Sequence, residues 1–159
     1  MIVFDRGNVR FNYRAVGVAL HNGRVLLHRA ERDPFWALPG GRVELLEAAS
    51  ATVRREMQEE LGAEVGVERL LWVVENFFEY DGRSYHELAL YFLMTFPPDS
   101  DVLARRQPFS GEEGGLYLIF QWFDLDKLGE IELYPDFLKT ELGSLPASPV
   151  HVVHHDGTL

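Results

Sequence analysis

The chain has 159 residues, 47% of them hydrophobic, which is enough for one compact domain with a real core and cramped for two. Its 15 Lys+Arg against 25 Asp+Glu give a formal net charge of −10, which argues against gripping nucleic acid through a broad basic surface. Cysteine is absent, so disulfides, thiolate metal sites and a cysteine nucleophile are excluded. Charge at Asp5 and Arg6 interrupts the apolar run a signal peptide needs, and no stretch approaches the roughly 20 apolar residues that span a bilayer. A soluble, cytoplasmic protein with neither membrane nor nucleic-acid partner is the expectation.

In chain order, residues 15–20 and 25–29 predict two strands around His21-Asn22-Gly23-Arg24, whose Asn-Gly pair signals a hairpin. Phe35-Trp36-Ala37-Leu38 is a short apolar run, and Pro39-Gly40-Gly41 is expected to continue no regular element. Residues 44–61 hold neither Gly nor Pro and are rich in helix formers. Val53, Met57 and Leu61 recur there at i, i+4 and i+8, which predicts a helix over 44–61 stopped by Gly62. Residues 65–80 read as one long strand or two, Asp81-Gly82 as a turn, and 85–95 as the strand that follows it. Residues 97–115 are polar and turn-rich, as in a long loop that carries function. A strand over 116–123, short helices over 126–128 and 135–142, and a peripheral tail over 143–159 complete the reading. The sum is an α/β fold of the α+β type, a sheet packed against a few helices, in a single domain over 1–159.

Chemistry concentrates on the predicted helix. At about 100° per residue, Glu59 and Glu60 fall near −60° and +40° from Glu56, so three carboxylates share an arc of roughly 100° beside the apolar stripe. Like charges at i, i+3 and i+4 destabilise an isolated helix by a few tenths of a kcal/mol per pair. They make sense together around a hard cation, since Mg²⁺ prefers oxygen ligands and takes few from protein. Arg55 stands four residues before Glu59 and can orient a carboxylate of that cluster. Gly40 and Gly41 are expected to turn the backbone sharply and let it approach a ligand, with a carbonyl free to complete a metal shell. Taken alone, the run 54–60 reads more readily as a solvated, salt-bridged helix face than as a metal site.

From Gly41 to Ala63 the chain reads Gly41, five residues, Glu47, seven residues, Arg55-Glu56-Met57, one residue, Glu59-Glu60, one residue, Gly62-Ala63. This resembles the Nudix box of the MutT-like hydrolases, Gly-x5-Glu-x7-Arg-Glu-U-x-Glu-Glu-x-Gly-U, where U is a bulky aliphatic residue. Seven fixed letters agree at the right spacing; at roughly one in 15 per position, chance agreement is on the order of 10⁻⁸ for a given start. Leu38-Pro39-Gly40-Gly41 with Trp36, and Gln121-Trp122-Phe123-Asp124-Leu125, resemble the family's flanking segments. Two positions depart from the pattern: Leu46 stands where many members have Gly, and the last U is the small Ala63.

The resemblance implies a mixed β-sheet sandwiched between α-helices. Glu56, Glu59 and Glu60 are then metal ligands for Mg²⁺, with Mn²⁺ as a substitute and the Gly40 carbonyl as a further donor. Arg55 and Glu47 orient that set, and Gly40 and Gly41 lie against the substrate. The implied reaction is attack of a metal-activated water on a pyrophosphate in a nucleoside diphosphate linked to another moiety: a nucleoside triphosphate, nucleotide sugar or dinucleoside polyphosphate. The implied partner is that small nucleotide-type pyrophosphate, and a homodimer is left open as the assembly. The general base differs among family members; Glu112 and Glu113, in a Gly-rich segment, are candidates beside the box glutamate Glu56, with an exposed acidic turn as the competing reading.

Other features carry less. His86 and Glu87 must face opposite sides of a strand, where cross-strand pairing is the favoured role. His151, His154 and His155 read as incidental residues of a flexible tail rather than as a metal site. Some of Phe77, Phe78, Tyr80, Tyr85 and Tyr91 can stack on a base, and more are expected to fill the sheet core. Phe78 and Glu79 occupy the positions where family members that hydrolyse ADP-ribose have Pro. Tyr80 falls near a Tyr associated with dinucleoside polyphosphate hydrolases, which nominates it for substrate binding. A non-catalytic nucleotide-sensing module of the same fold is the alternative function.

Overall fold

The computed structural model describes residues 1–113 and 115–156, with the backbone alone for Glu112 and Glu113. β1 (Val3–Arg6) pairs antiparallel with the first half of β2 (Val9–Val18), and Ala19 separates β2 from β3 (Leu20–His21) in a second sheet. Asn22 and Gly23, at φ 52° and 74°, make the left-handed two-residue turn into β4 (Arg24–Ala30). β5 (Gly40–Arg42) returns to pair antiparallel with the second half of β2. After α1 (Ala49–Leu61), β6 (Gly66–Tyr80) and β7 (Arg83–Thr95) form a long hairpin turned by Asp81 and Gly82 at φ 53° and 73°. β8 (Phe109–Glu113) and β9 (Leu116–Asp124) form another, and a short α2 (Leu138–Glu141) precedes β10 (Val150–His155).

The strands divide between a six-stranded sheet, β1-β2-β7-β6-β10 with β5 beside β2, and a four-stranded sheet, β3-β4-β9-β8. The first is mixed, because β2–β7 and β6–β10 run parallel and its other pairs antiparallel. The expected α+β character is therefore observed. α1 packs against strands of both sheets, and its Val53 and Met57, 1% and 0% exposed, enter a core with Ala15, Leu26, Val43, Phe120 and Trp122. Each such side chain contributes roughly 1.5–3 kcal/mol of burial. A second cluster, with Trp72, Val74 and Tyr91, is closed by Leu128, Leu133, Leu138 and Leu142. No helix among the described residues is long and apolar enough to cross a membrane.

Four expectations change. The helix starts at Ala49 and not at residue 44, because Leu46 turns the chain at φ 66° and α1 begins after Ala48, which makes no side-chain cap bond. Pro39-Gly40-Gly41 does not end regular structure, since Gly40 and Gly41 lie in β5 with neither at positive φ. The loop over 97–115 contains a 3₁₀ turn, Asp101–Ala104, capped by the Ser100 hydroxyl, and the strand β8, whose Phe109 stacks on Phe120 at 5.7 Å. The tail from Gly143 contributes β10, whose His154 bridges Asn76 Oδ1 at 2.9 Å and Asp136 Oδ1 at 2.8 Å, while His151 pairs with Glu75 and His155 stacks on Phe77. Composition hid β8 and β10 because neither is an apolar run; each is held by its neighbour strand.

His86 and Glu87 do face opposite ways. His86 continues a row of rings from Phe4 and Phe11 to Phe77 and His155, whereas Glu87 is buried and accepts from Asn12 Nδ2 at 2.9 Å. Phe78 stacks on Tyr85, and Tyr91 is buried in the core.

Candidate metal and hydrolytic site

Seven residues of the predicted site lie on, or fold back onto, one helix and the strand beside it. The buried positions of α1 are Ala49, Thr52, Val53, Glu56, Met57 and Glu60. Two rows at i, i+4 and i+8 run side by side, one apolar (Ala49, Val53, Met57) and one polar (Thr52, Glu56, Glu60). The side chains of Glu56 and Glu60 are 7% and 0% exposed, against 58% for Glu59. A solvated face does not bury two carboxylates, since desolvating each costs several kcal/mol unless partners recover it.

Arg55 joins the site. Its Nε and Nη2 donate to the two Glu47 oxygens at 2.8 and 3.0 Å, a fork on one carboxylate. Its Nη1 donates to Glu56 Oε1 at 2.8 Å and to Glu59 Oε2 at 3.3 Å, and Nη2 also reaches the Arg42 carbonyl of β5 at 3.1 Å. Glu47 accepts in addition from the buried Thr52 hydroxyl. The guanidinium, opposed by partial burial and helped by Thr52, holds the Glu47 carboxyl down to about 2. The same pairing, Glu47 foremost, raises Arg55. Residues 44–48 thus fold back onto α1 because Glu47 is fastened from two turns of the helix.

The glycines set how close the helix comes. A Cβ on Gly41 would lie 2.1 Å from Glu56 Cδ and 2.2 Å from its Oε1, so the Glu56 carboxyl occupies the space a side chain would take. A Cβ on Gly40 would lie 2.3 Å from the Ala15 carbonyl oxygen, so Gly40 serves strand packing.

Glu56 and Glu59 converge on one guanidinium nitrogen, while Glu60 turns to the other side, where its Oε2 lies 3.9 Å from Nδ1 of the buried His28. Among the described residues no three His, Asp or Glu side chains stand close enough together to hold an ion between them. The donor set is nevertheless all oxygen and anionic, and the Gly41 cradle leaves its central carboxylate room, so the residues fit a hard divalent cation by chemistry. An open pocket of about 310 Å³, bordered by Glu60, Ser110, Gly111, Gly115 and Tyr117, lies at the C-terminal turn of α1. β8 packs on that turn: a Cβ on Gly111 would come 3.0 Å from the Glu60 carbonyl. The side chains of Glu112 and Glu113 lie outside the described residues. Tyr80 stands elsewhere, at the end of β6, donating to Asp33 Oδ2 at 2.9 Å and accepting from Arg32 at 3.1 Å.

Three residues were not legible as site residues. Thr52 lacked any signal beyond its four-residue spacing before Glu56. His28 looked like one position of an ordinary strand, and burial pushes its imidazole down to about 3, with the Arg14 charge adding to the effect. Arg14 lies on β2 opposite Arg42, one residue from the Ala15–Gly41 pair, and its charge is felt at both His28 and Tyr91.

A family model of the NUDIX domain matches residues 12–141. The chain is 30% identical over 112 residues, 70% of its length and 65% of the relative's, to the uncharacterized Nudix hydrolase YvcI of Bacillus subtilis. It is 41% identical over 59 residues, 37% of its length and 38% of the relative's, to a MutT-like protein of Streptomyces ambofaciens. The curated relatives it matches are covered over 25% to 65% of their own length. Its fold is similar to that of a NUDIX hydrolase from Nitrosomonas europaea, with a TM-score of 0.63 at 19% identity over 91% of this chain and 79% of that one. With the seven fixed letters of the box in place across β5, the loop at Glu47 and α1, and the family model matching residues 12–141, the chain belongs to the Nudix, MutT-like, family.

Proposed function

We propose that this chain is a Mg²⁺-dependent pyrophosphohydrolase, with Mn²⁺ able to substitute, acting on a nucleoside diphosphate linked to another moiety. The observation that carries the reading is the burial of Glu56 and Glu60 on α1 beside an Arg55 that binds Glu47, Glu56 and Glu59 at once. Glu56, Glu59 and Glu60 would hold the ion, with the Gly40 carbonyl as a further donor. A divalent ion held there supplies charge neutralisation at the phosphoryl oxygens and lowers the pKa of a bound water.

The chain's own groups then have separate tasks. Arg55, fixed by the Glu47 fork, keeps Glu56 and Glu59 facing one point. Glu47 stays ionised through the neutral range because Arg55 and Thr52 both favour its charged form. Gly41 lets the Glu56 carboxyl lie against β5. Glu112 and Glu113 are the proposed bases beside Glu56; β8, which carries them, packs against α1. Tyr80 is proposed as a substrate contact on the loop side, with Phe35 and Tyr85 around its ring. A small anionic substrate is compatible with the net charge of −10, since a bound cation reverses the field within one site. The cytoplasm is the proposed location.

The test is release of phosphate or pyrophosphate from nucleoside triphosphates, nucleotide sugars, ADP-ribose and dinucleoside polyphosphates with Mg²⁺ or Mn²⁺. At least one substrate is expected to turn over, with a loss of roughly 100-fold or more in the Glu56→Gln variant. Tight nucleotide binding by calorimetry without turnover of any substrate would instead support a sensing module.

A further inference from the structure

His28 is buried and paired along both edges of its strand. It sits in β4 opposite Phe120 of β9, and on its other edge its backbone N–H and carbonyl both bond to Ala37, at 2.8 and 2.9 Å. Its ring lies against Phe120 at 5.3 Å, and the residue is 8% exposed. The preceding residues of the strand, Val25, Leu26 and Leu27, are fully buried hydrophobics, so packing alone does not ask for an imidazole. Its Nδ1 has no hydrogen-bond partner, and an unpaired buried nitrogen is a standing cost to the fold. The acidic group that faces it is the Glu60 carboxylate, whose Oε2 is 3.9 Å away, too far for a hydrogen bond and about 1 Å from one.

Glu60 is one of the carboxylates proposed to hold the divalent ion. Carboxylates that ligate a metal are themselves held by hydrogen bonds from outside the ligand set, and losing such a partner weakens metal binding roughly 10–100-fold. We propose that His28 is a positioning residue for the metal site: its Nδ1–H bonds the Glu60 carboxylate when that carboxylate holds the ion, fixing which oxygen faces the metal. The assignment rests on the metal reading of the box and adds a residue from the other sheet to it. β4 thereby joins α1 as a wall of the site.

Mn²⁺ is the probe, titrated into the intact protein while free Mn²⁺ is followed by its EPR signal. His28→Phe fills the space without a donor and is expected to bind Mn²⁺ roughly 10–100-fold more weakly. His28→Asn places an amide N–H close to the position of Nδ1 and is expected to recover most of that loss. Wild-type Mn²⁺ affinity in His28→Phe would overturn the proposal, as would His28→Asn binding no better than His28→Phe. A pulsed-EPR spectrum with a directly bonded nitrogen would overturn it as well, making His28 a ligand. Glu60→Gln separates the two levels: if it leaves Mn²⁺ affinity unchanged, the metal reading itself fails, whatever His28 does.

Discussion

A methyl group on Gly41 would sit 2.1 Å from the Glu56 carboxyl carbon, and one on Gly40 would sit 2.3 Å from a backbone oxygen of β2. The two neighbours therefore fail differently. In Gly41→Ala a flexible side chain gives way, so Glu56 leaves Arg55; turnover is expected to fall at least tenfold with Tm little changed. In Gly40→Ala a strand must move, an overpacking cost of about 1–3 kcal/mol, and Tm falls by roughly 2–4 °C per kcal/mol. Thermal melts beside single-substrate kinetics separate the cases. Glu47 carries a pH signature. Its pKa is lowered from 4.5 to about 2, so the stability it contributes is complete above 4.5 and is lost as pH falls through about 2. The Tm gap between wild type and Glu47→Gln is expected to be constant from neutral pH down to 4.5 and to close below it. A gap unchanged at pH 2 would contradict the Arg55–Glu47 pairing.

The loop from Glu44 to Ala48 and the helix it precedes behave as one element, tied by Glu47 to Thr52 and Arg55. Leu46 in that loop is fully exposed at φ 66°, a conformation that costs a non-glycine residue about 1–2 kcal/mol. Leu46→Gly is expected to leave Tm unchanged or raised although it deletes a large hydrophobic residue, and a clear fall would show a packing role. The box was legible because its chemistry follows helical spacing: Glu56, Glu59 and Glu60 could be placed by angle, and Val53 and Met57 by periodicity. What the angles could not show is which carboxylates are buried, because burial depends on β5 and β8 arriving from elsewhere in the chain. The helix starts later than composition suggests for a similar reason. Residues 44–48 are good helix formers, yet the bonds to Glu47 reward a loop. β8 escaped notice because Ser110, Gly111, Glu112 and Glu113 look like a turn and become a strand only beside β9.

Over the whole molecule, the C-terminal segment ties the far edge of the large sheet to α2 and its preceding turn. β10 pairs with β6 through six residues, and His154 spans Asn76 and Asp136. Removing residues 149–159 takes away those bonds and the half-buried Val152, about 2 kcal/mol or more, and Tm is expected to drop by roughly 5 °C or more. A shortened chain that melted like the full one would restore the peripheral tail that composition suggested. The proposed site is farther off, where α1 meets β5 and β8 and Glu60 faces His28 of β4, so the proposed hydrolysis is expected to survive moderate loosening of that edge. The most direct test of the account is hydrolysis in ¹⁸O-labelled water with Mg²⁺, using whichever nucleotide-linked pyrophosphate turns over best. Mass spectrometry is expected to find one labelled oxygen on a phosphate of the products, and Glu60→Gln is expected to abolish its appearance. Unlabelled phosphate products, or labelling at the wild-type rate in Glu60→Gln, would contradict the assignment of α1 as the hydrolytic centre.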